Sequence, residues 1–166
     1  MQGKTIAIAT LVAGTLDIAA AMITTALHGR SIAGMLQSVA SGPFGDWPRT
    51  SGWIGAATGL IVHFAIMAVM ATAFVAAARL LPRVREWRLL YGAAYGAALY
   101  LIMYWIVIPL RWPPNPGTAI TPLSVLMPLA IHILLVGIPI AWIATARTAR
   151  NPAFDFRRGA SVPPAG

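Results

Sequence analysis

The sequence predicts an all-α integral membrane protein in which four transmembrane helices form a bundle. Of its 166 residues, 58% are hydrophobic and only 10% are charged, and the mean hydropathy is +0.75. Soluble domains carry about 25% charged residues. Crossing about 30 Å of hydrocarbon takes roughly 20 helical residues, and four apolar runs are long enough: 5–27, 53–81, 89–110 and 123–145. The chain is therefore interpreted as one transmembrane domain over residues 1–150.

The charge and the cysteine content exclude several classes of function. A net charge of +8 would favour nucleic-acid binding in a soluble protein. Here the basic residues lie in short flanks between apolar runs, so topology accounts for them and no nucleic-acid partner is expected. The chain has no cysteine, which excludes disulfides, thiolate metal sites and thiol catalysis. No serine–histidine, paired-carboxylate or phosphate-loop pattern is present, so no enzyme is expected.

The distribution of lysine and arginine predicts the orientation, because cytoplasmic loops carry an excess of these residues. With four spans, both termini and the second loop share one side of the membrane. That side holds Lys4, Arg79, Arg83, Arg85, Arg88, Arg147, Arg150, Arg157 and Arg158. The other side holds only Arg30, Arg49 and Arg111. We therefore expect a multi-pass protein of the bacterial inner (cytoplasmic) membrane with both termini cytoplasmic.

The segments outside the spans carry their own signals. In the first loop, Ile32, Met35, Leu36 and Val39 recur at helical spacing. They predict a short helix that either lies at the membrane interface or covers the mouth of the bundle. The basic second loop is expected to contact anionic lipid headgroups through Arg79, Arg83, Arg85 and Arg88. Residues 151–166 are rich in proline and have no apolar periodicity, which predicts a disordered cytoplasmic tail.

One carboxylate, Asp17, lies near the middle of the first span. Burying such a charge in hydrocarbon costs at least about 2.5 kcal/mol. Reading the span in steps of three and four residues gives a continuous stripe of small and polar side chains: Thr10, Gly14, Asp17, Ala21, Thr24 and His28. Residues at this spacing share one helix face. We therefore expect Asp17 to face protein rather than lipid.

The other three spans also carry polar residues on faces that we expect to turn inward. Gly55 and Gly59 lead to His63 in the second span, and Gly92 and Gly96 lead to Tyr100 and Tyr104 in the third. These glycines permit close helix packing. In the fourth span His132 lies between Pro128 and Pro139, each of which removes a backbone donor and is expected to break the helix.

Asp17, His63, Tyr100 and His132 are predicted to lie at one depth. Each is 9 to 11 residues from the end of its span on the outer side. At 1.5 Å per residue, all four lie about 14–17 Å below that boundary, near the midplane. We therefore predict a polar midplane cluster built from one residue of each span.

The sequence leaves several roles open for this cluster. It could lock the register of the helices through a hydrogen-bonded carboxylate. It could pass protons or a small solute, because histidine has a reference pKa of about 6.5 and transporters bind substrates at broken helices. Alternatively, His63 and His132 could ligate a b-type haem, or hold a divalent metal together with Asp17. Because four helices enclose only a narrow lumen, a pathway could require a homo-oligomer.

The layout resembles small bacterial inner-membrane proteins of the YagU-like kind. The matching segments are "GLIVHFAI" in the second span, the basic turn "LPRVREW", "YGAAYGAALY" with "IPL" in the third span, and "LAIHILL" in the fourth. They cover roughly residues 60 to 140, whereas the first span and first loop do not follow that pattern. The resemblance implies an inner-membrane location and about four spans, and it supplies no activity.

Overall fold

The computed structural model describes residues 2–113 and 120–148 of the chain. About 89% of these residues are helical, and no strand occurs among them. The helices are α1 (Gln2–Leu27), α2 (Ile32–Phe44), α3 (Trp47–Thr50), α4 (Gly52–Leu80), α5 (Arg88–Ile102), α6 (Ile108–Arg111), α7 (Pro122–Ile131) and α8 (Ile138–Thr148). A π-helical turn joins α5 to α6 (Met103–Val107) and another joins α7 to α8 (His132–Gly137).

Four continuous helices are long and apolar enough to cross a membrane, and they confirm the predicted helical class. Span 1 is Gln2–Leu27, span 2 is Gly52–Leu80, span 3 is Arg88–Arg111 and span 4 is Pro122–Ala146. Their ends lie within three residues of the ends predicted from hydropathy. The agreement follows from the charged, glycine and proline residues that flank each apolar run.

The bundle has two ends. The loop end carries α2 and α3, and the terminal end carries the start of span 1 and the short 3-10 turn Pro82–Val84. Span 1 packs against span 2 on one side and against the α8 half of span 4 on the other, and span 3 packs against span 4. Span 1 is therefore a direct neighbour of both the second and the fourth span, which places Asp17 where it can face both.

Spans 3 and 4 approach each other through glycine. A Cβ atom built on Gly92 or Gly96 would overlap the backbone of span 4, at Ile138 and His132 respectively. On the other side of the contact, a Cβ on Gly137 would overlap the carbonyl oxygen of Gly92. Gly92 and Gly96 were predicted as packing positions, whereas Gly137 was not singled out from the sequence. Backbone contact of this kind fixes the level of His132 against span 3.

The first-loop helix α2 packs along span 2 rather than standing apart from the bundle. Its side chains Leu36 and Ala40 are buried, and its N-cap Ser31 accepts a hydrogen bond from the Gly34 amide. A Cβ on Gly59 would overlap the Leu36 carbonyl. Gly59 is thus a packing position as predicted by its spacing, but its partner is the loop helix and not another span.

Gly55 has an equivalent role one turn earlier in span 2. A Cβ at this position would overlap the carbonyl of Pro48 in α3. The side chain of Gln37 in α2 also donates a 2.8 Å hydrogen bond to the Gly52 carbonyl. These contacts attach both loop helices to the loop end of span 2.

Arg111, the last residue of span 3, holds the loop from the opposite side. Its Nε atom donates a 3.0 Å hydrogen bond to the Ser41 carbonyl, and its guanidinium lies 2.9 Å from a carboxyl oxygen of Asp46. Arg49 donates to the Ser41 hydroxyl at 3.2 Å. Arg111 therefore anchors the first loop to span 3, whereas Arg49 joins α3 to α2 within that loop.

Both π turns end immediately before an Ile–Pro pair. The amide of Ile108 bonds the Met103 carbonyl and the amide of Ile138 bonds the Ile133 carbonyl, five residues back in each case. The next residue, Pro109 or Pro139, has no amide proton and its ring would clash with the carbonyl four residues earlier. The wider turn relieves that clash. The expected break at Pro139 is therefore not present, because span 4 widens before this residue and continues to Ala146; Pro109 has the same effect in span 3.

Pro128 does not break its helix. It lies inside α7, which is α-helical from Pro122 to Ile131. The expectation of a break there is wrong. Proline removes one backbone hydrogen bond of the helix, and a transmembrane helix tolerates that loss when the residues on both sides keep helical geometry.

The apolar core occupies the terminal half of the bundle. Ala9, Ala13, Ile140 and Ala141 have no exposed surface, and Met67 and Phe74 of span 2 pack with them. Span 1 and span 4 are therefore in close contact from the level of Asp17 towards the terminal end.

The basic second loop is at the terminal end. Arg79, Arg83 and Arg85 are exposed, whereas Arg88 is half-buried with its guanidinium carbon 3.7 Å from the centre of the Trp142 ring. The predicted tail, residues 151–166, lies outside the described residues.

Candidate functional site

Asp17 and His63 are neighbours across the contact between spans 1 and 2. A carboxyl oxygen of Asp17 lies 4.0 Å from Nδ1 of His63, and the exposed fractions of the two side chains are 19% and 10%. This separation permits an ion pair but is too long for a direct hydrogen bond. The carboxylate therefore faces an imidazole in the interior of the bundle.

The second ring nitrogen of His63 is fixed by span 1. Its Nε2 atom lies 2.9 Å from the Gly14 carbonyl. A carbonyl oxygen only accepts hydrogen bonds, so Nε2 carries a proton and donates it. Nδ1, the atom that faces Asp17, is consequently a lone-pair acceptor whenever the ring is neutral. The two groups can share one further proton between them.

His132 is fixed by its own helix in the same manner. Its Nδ1 atom lies 2.9 Å from the Pro128 carbonyl and must donate to it. Nε2, on the far side of the ring, is then the acceptor of the neutral imidazole. The Asp17 carboxyl group interacts electrostatically with His132 as well as with His63. Asp17 thus lies between two imidazoles supplied by different spans.

Two tyrosines of span 3 complete the cluster. Tyr100 and Tyr104 stack with ring centres 5.0 Å apart, and their rings meet the edge of His132 at 6.1 and 5.8 Å. Tyr104 also interacts electrostatically with Asp17. Asp17, His63, Tyr100 and His132 were predicted from depth and helical phase, and the structure brings them together. Tyr104 was not among the predicted site residues, although it continues the Gly92–Gly96–Tyr100 spacing.

A cavity of about 550 Å³ runs from this cluster to the loop end of the bundle. In span 1 its wall extends from Asp17 to His28, and in span 4 from Leu123 to His132. Tyr104 of span 3 and Met35 of α2 form the remaining sides. The cavity exists because the α8 half of span 4 packs on both span 1 and span 3, whereas the α7 half contacts span 3 and separates from span 1. Asp17 and His132 therefore form the floor of a recess that begins at the helix ends.

Hydroxyl groups line the recess above the floor. Thr24, two turns above Asp17, donates its hydroxyl proton to the Ala20 and Ala21 carbonyls at 2.9 and 3.0 Å. Ser124 donates to the Thr121 carbonyl at 2.7 Å. His28, at the rim, lies with Nδ1 2.7 Å from the Thr24 carbonyl and so also donates into its own helix. These protons are used within the helices, which leaves oxygen and nitrogen lone pairs for the recess.

The polar stripe of span 1 continues below the recess. Thr10 lies two turns from Asp17 towards the terminal end, and its buried hydroxyl has no hydrogen-bond partner among the described residues. Such groups are few in folded proteins. The stripe therefore presents a polar group on both sides of the midplane cluster.

The arrangement does not fit the haem and metal alternatives. A haem ligated by His63 and His132 would need space beside the glycines of these faces, but the backbones of Leu36 and His132 occupy the positions next to Gly59 and Gly96. Among residues 2–113 and 120–148, no group of three histidine, aspartate or glutamate side chains is placed to hold a metal ion.

No protein-family model, curated protein or solved structure matches this chain.

Proposed function

We propose that this protein is a small membrane transport protein that takes up a proton or a small solute through the recess and binds it at Asp17. The observation that carries the proposal is the position of Asp17, which forms part of the floor of a 550 Å³ cavity and retains 19% of its side-chain surface. An ionisable residue inside a membrane span that meets such a cavity is typical of a substrate or ion pathway.

The cavity distinguishes this function from a purely structural lock. A lock requires Asp17 to be enclosed by its partners, since intramembrane hydrogen bonds stabilise helix packing only when both groups are held together. Here the nearest imidazole nitrogen is 4.0 Å away, and the carboxyl group borders open space instead. The packing of the spans leaves the Asp17 carboxylate accessible from the cavity, and a structural lock does not require such access.

The two π turns support the same function. His132 is the first residue of the turn in span 4, and Tyr104 is the second residue of the turn in span 3. π turns within α-helices are frequent at functional sites, because the extra residue re-aims the side chains around it. Both spans that meet at the floor of the recess thus have altered helical geometry at that level.

The proposed setting is the bacterial inner membrane, with both termini in the cytoplasm and the recess open to the outside. The excess of basic residues at the terminal end supports this orientation. The exposed Arg79, Arg83 and Arg85 would then contact anionic headgroups of the cytoplasmic leaflet.

The function is tested by flux through proteoliposomes that contain the purified chain. A pH gradient is imposed across vesicles loaded with a pH-sensitive dye, and proton movement is compared between wild type and Asp17→Asn. We expect flux in the wild type that falls at least tenfold in Asp17→Asn, with unchanged elution on size exclusion.

Asp46→Asn is the matched control, because this carboxylate lies outside the recess and contacts Arg111. It should leave the flux unchanged. A wild type without flux of protons or of added small solutes, combined with a loss of thermal stability in Asp17→Asn, would instead establish the structural lock.

A further inference from the structure

We propose that the recess binds a protonated organic amine with a single ammonium group and an apolar body, with the ammonium at Asp17 and His132 on the floor. This inference rests on the proposed function and specifies the class of solute. Two observations support it. The histidine and hydroxyl donors described above already bond to backbone carbonyls, and the wall above the floor is apolar.

Apart from the Tyr104 hydroxyl, the floor offers hydrogen-bond acceptors only. Asp17 contributes a carboxylate, which when ionised only accepts hydrogen bonds. His132 donates through Nδ1 to Pro128, and His63 donates through Nε2 to Gly14, so each neutral ring has a lone pair as its only remaining capacity. A ligand that satisfies this floor must therefore bring the protons. An ammonium group supplies up to three of them together with a compensating positive charge.

Between the floor and the rim, the walls also carry polar groups whose protons are already used in hydrogen bonds. The hydroxyls of Thr24 and Ser124 and the Nδ1 atom of His28 all donate to backbone carbonyls of their own helices. Each of these groups can only accept a further hydrogen bond. A carboxylate or phosphate ligand would meet lone pairs at these positions, which disfavours anions there; the hydroxyl donors left in the lining are those of Thr25, Thr121 and Tyr104.

An aromatic ring adds to the attraction for a cation. Tyr104 lines the recess at the level of the floor. A cation within about 6 Å of the centre of such a ring is attracted by the negative face of the ring, and more strongly when water is excluded. The only basic side chain that lines the recess among the described residues is Arg30. It is exposed at the rim, beyond the end of α1 at Leu27, which already lies about 15 Å of helix rise above Asp17, and solvent screens its charge there.

The remaining wall argues for an apolar body rather than an inorganic cation. It is formed by alkyl and thioether side chains: Ala21, Met35, Leu123, Met127 and Ile131. A volume of about 550 Å³ lies within the roughly 300–1,000 Å³ of pockets that bind small organic molecules. A hydrated metal ion would leave most of this apolar surface in contact with water.

The inference is tested with 2-phenylethylammonium as the probe, titrated calorimetrically at pH 8 into the full-length chain in detergent micelles. Binding to the wild type should be at least tenfold tighter than that of 2-phenylethanol or 3-phenylpropionate, which have the same ring with a neutral or an anionic head. Equal binding of the alcohol would overturn the assignment, since partition into apolar space would then explain it.

Three variants locate the site. Asp17→Asn should weaken binding of the ammonium probe at least tenfold and leave the weak binding of the alcohol unchanged. Asp46→Asn, which alters a carboxylate outside the recess, should bind as the wild type does. Ala21→Leu keeps every polar group and fills the wall one turn above Asp17, so it should weaken binding of the phenyl probe at least fivefold.

If Asp17→Asn elutes as an aggregate and its binding cannot be measured, Ala21→Leu still tests whether the amine binds in the recess. Undiminished binding of 2-phenylethylammonium in Ala21→Leu would place the amine outside the recess and overturn the inference. The result also separates the two proposals. Proton flux that depends on Asp17, without selective amine binding, would retain the transport function and eliminate the amine as its solute.

Discussion

His63 holds Asp17 and the Gly14 carbonyl at the two ends of one imidazole ring, with Nδ1 4.0 Å from the carboxylate and Nε2 2.9 Å from the carbonyl. Both partners belong to span 1 and are three residues apart. A single side chain of span 2 thus fixes both the level of span 1 and the charge environment of its one acidic residue.

Replacing His63 is expected to destabilise the bundle. His63→Ala removes the hydrogen bond to Gly14 and the nearest partner of Asp17, at a cost of about 1–2 kcal/mol. The melting temperature in detergent measures the effect. His28→Ala is the control, because this exposed imidazole bonds only to its own helix. Equal melting temperatures for the two variants would contradict the role assigned to His63.

Adding a methyl group to Gly96 should be more damaging than its size suggests. In Gly96→Ala the new Cβ would meet the His132 carbonyl and the Ile133 backbone, neither of which can rotate away. Overpacking of this kind costs about 1–3 kcal/mol. Gly42→Ala provides the comparison, since nothing lies within 4 Å of that position. Denaturant titration should show a loss for Gly96→Ala and little change for Gly42→Ala.

The anchoring of α2 by Arg111 can be separated into its two contacts. Arg111→Ala removes the hydrogen bond to the Ser41 carbonyl as well as the ion pair, and should speed amide exchange across residues 38–44. Asp46→Ala removes only the ion pair, whose carboxylate is 82% exposed and therefore contributes little. Similar exchange in the two variants would show that the ion pair, not the backbone contact, holds α2.

Pro139→Ala tests whether the π turn serves the site. Alanine restores an amide proton and removes the ring clash, so the helix can return to α geometry at no loss of stability. That change shifts the register of His132 and should reduce flux in proteoliposomes. Pro122→Ala, at the first turn of α7, is the control and should transport normally. Normal flux in Pro139→Ala would mean that the turn is incidental to function.

The absence of native cysteine makes the orientation easy to measure. Single cysteines at Thr50 and Glu86, both exposed and at opposite ends of the bundle, can be tested with a membrane-impermeant maleimide. We expect Thr50→Cys to react in intact spheroplasts and Glu86→Cys only after permeabilisation. The reverse pattern would place the recess on the cytoplasmic side.

The helices were predictable from sequence because composition alone decides where 20 apolar residues run together. The midplane residues were predictable from helical spacing and burial cost. A stripe at three- and four-residue spacing predicts one helix face, and the free-energy cost of a carboxylate in hydrocarbon predicts that Asp17 faces the interior of the bundle. Depth from the span ends then placed His63 and His132 at the same level.

The sequence does not predict which helix packs against each glycine face. Gly59 and Gly96 carry the same signal, a glycine that admits another backbone, yet one receives the loop helix and the other receives span 4. The π turns were also missed, because a proline in sequence indicates a lost hydrogen bond and not whether the helix widens, as at Pro139, or continues unchanged, as at Pro128.

The half-buried hydrogen bond from the Tyr95 hydroxyl to the Met70 carbonyl, 2.7 Å long, joins spans 2 and 3 in the terminal half of the bundle. Glycine contacts unite spans 3 and 4 as one hairpin, and His63 unites spans 1 and 2 as another. Under the proposed transport function, release of a solute at the terminal end would require these two hairpins to separate below Asp17, and the Tyr95 hydrogen bond to Met70 would then have to break.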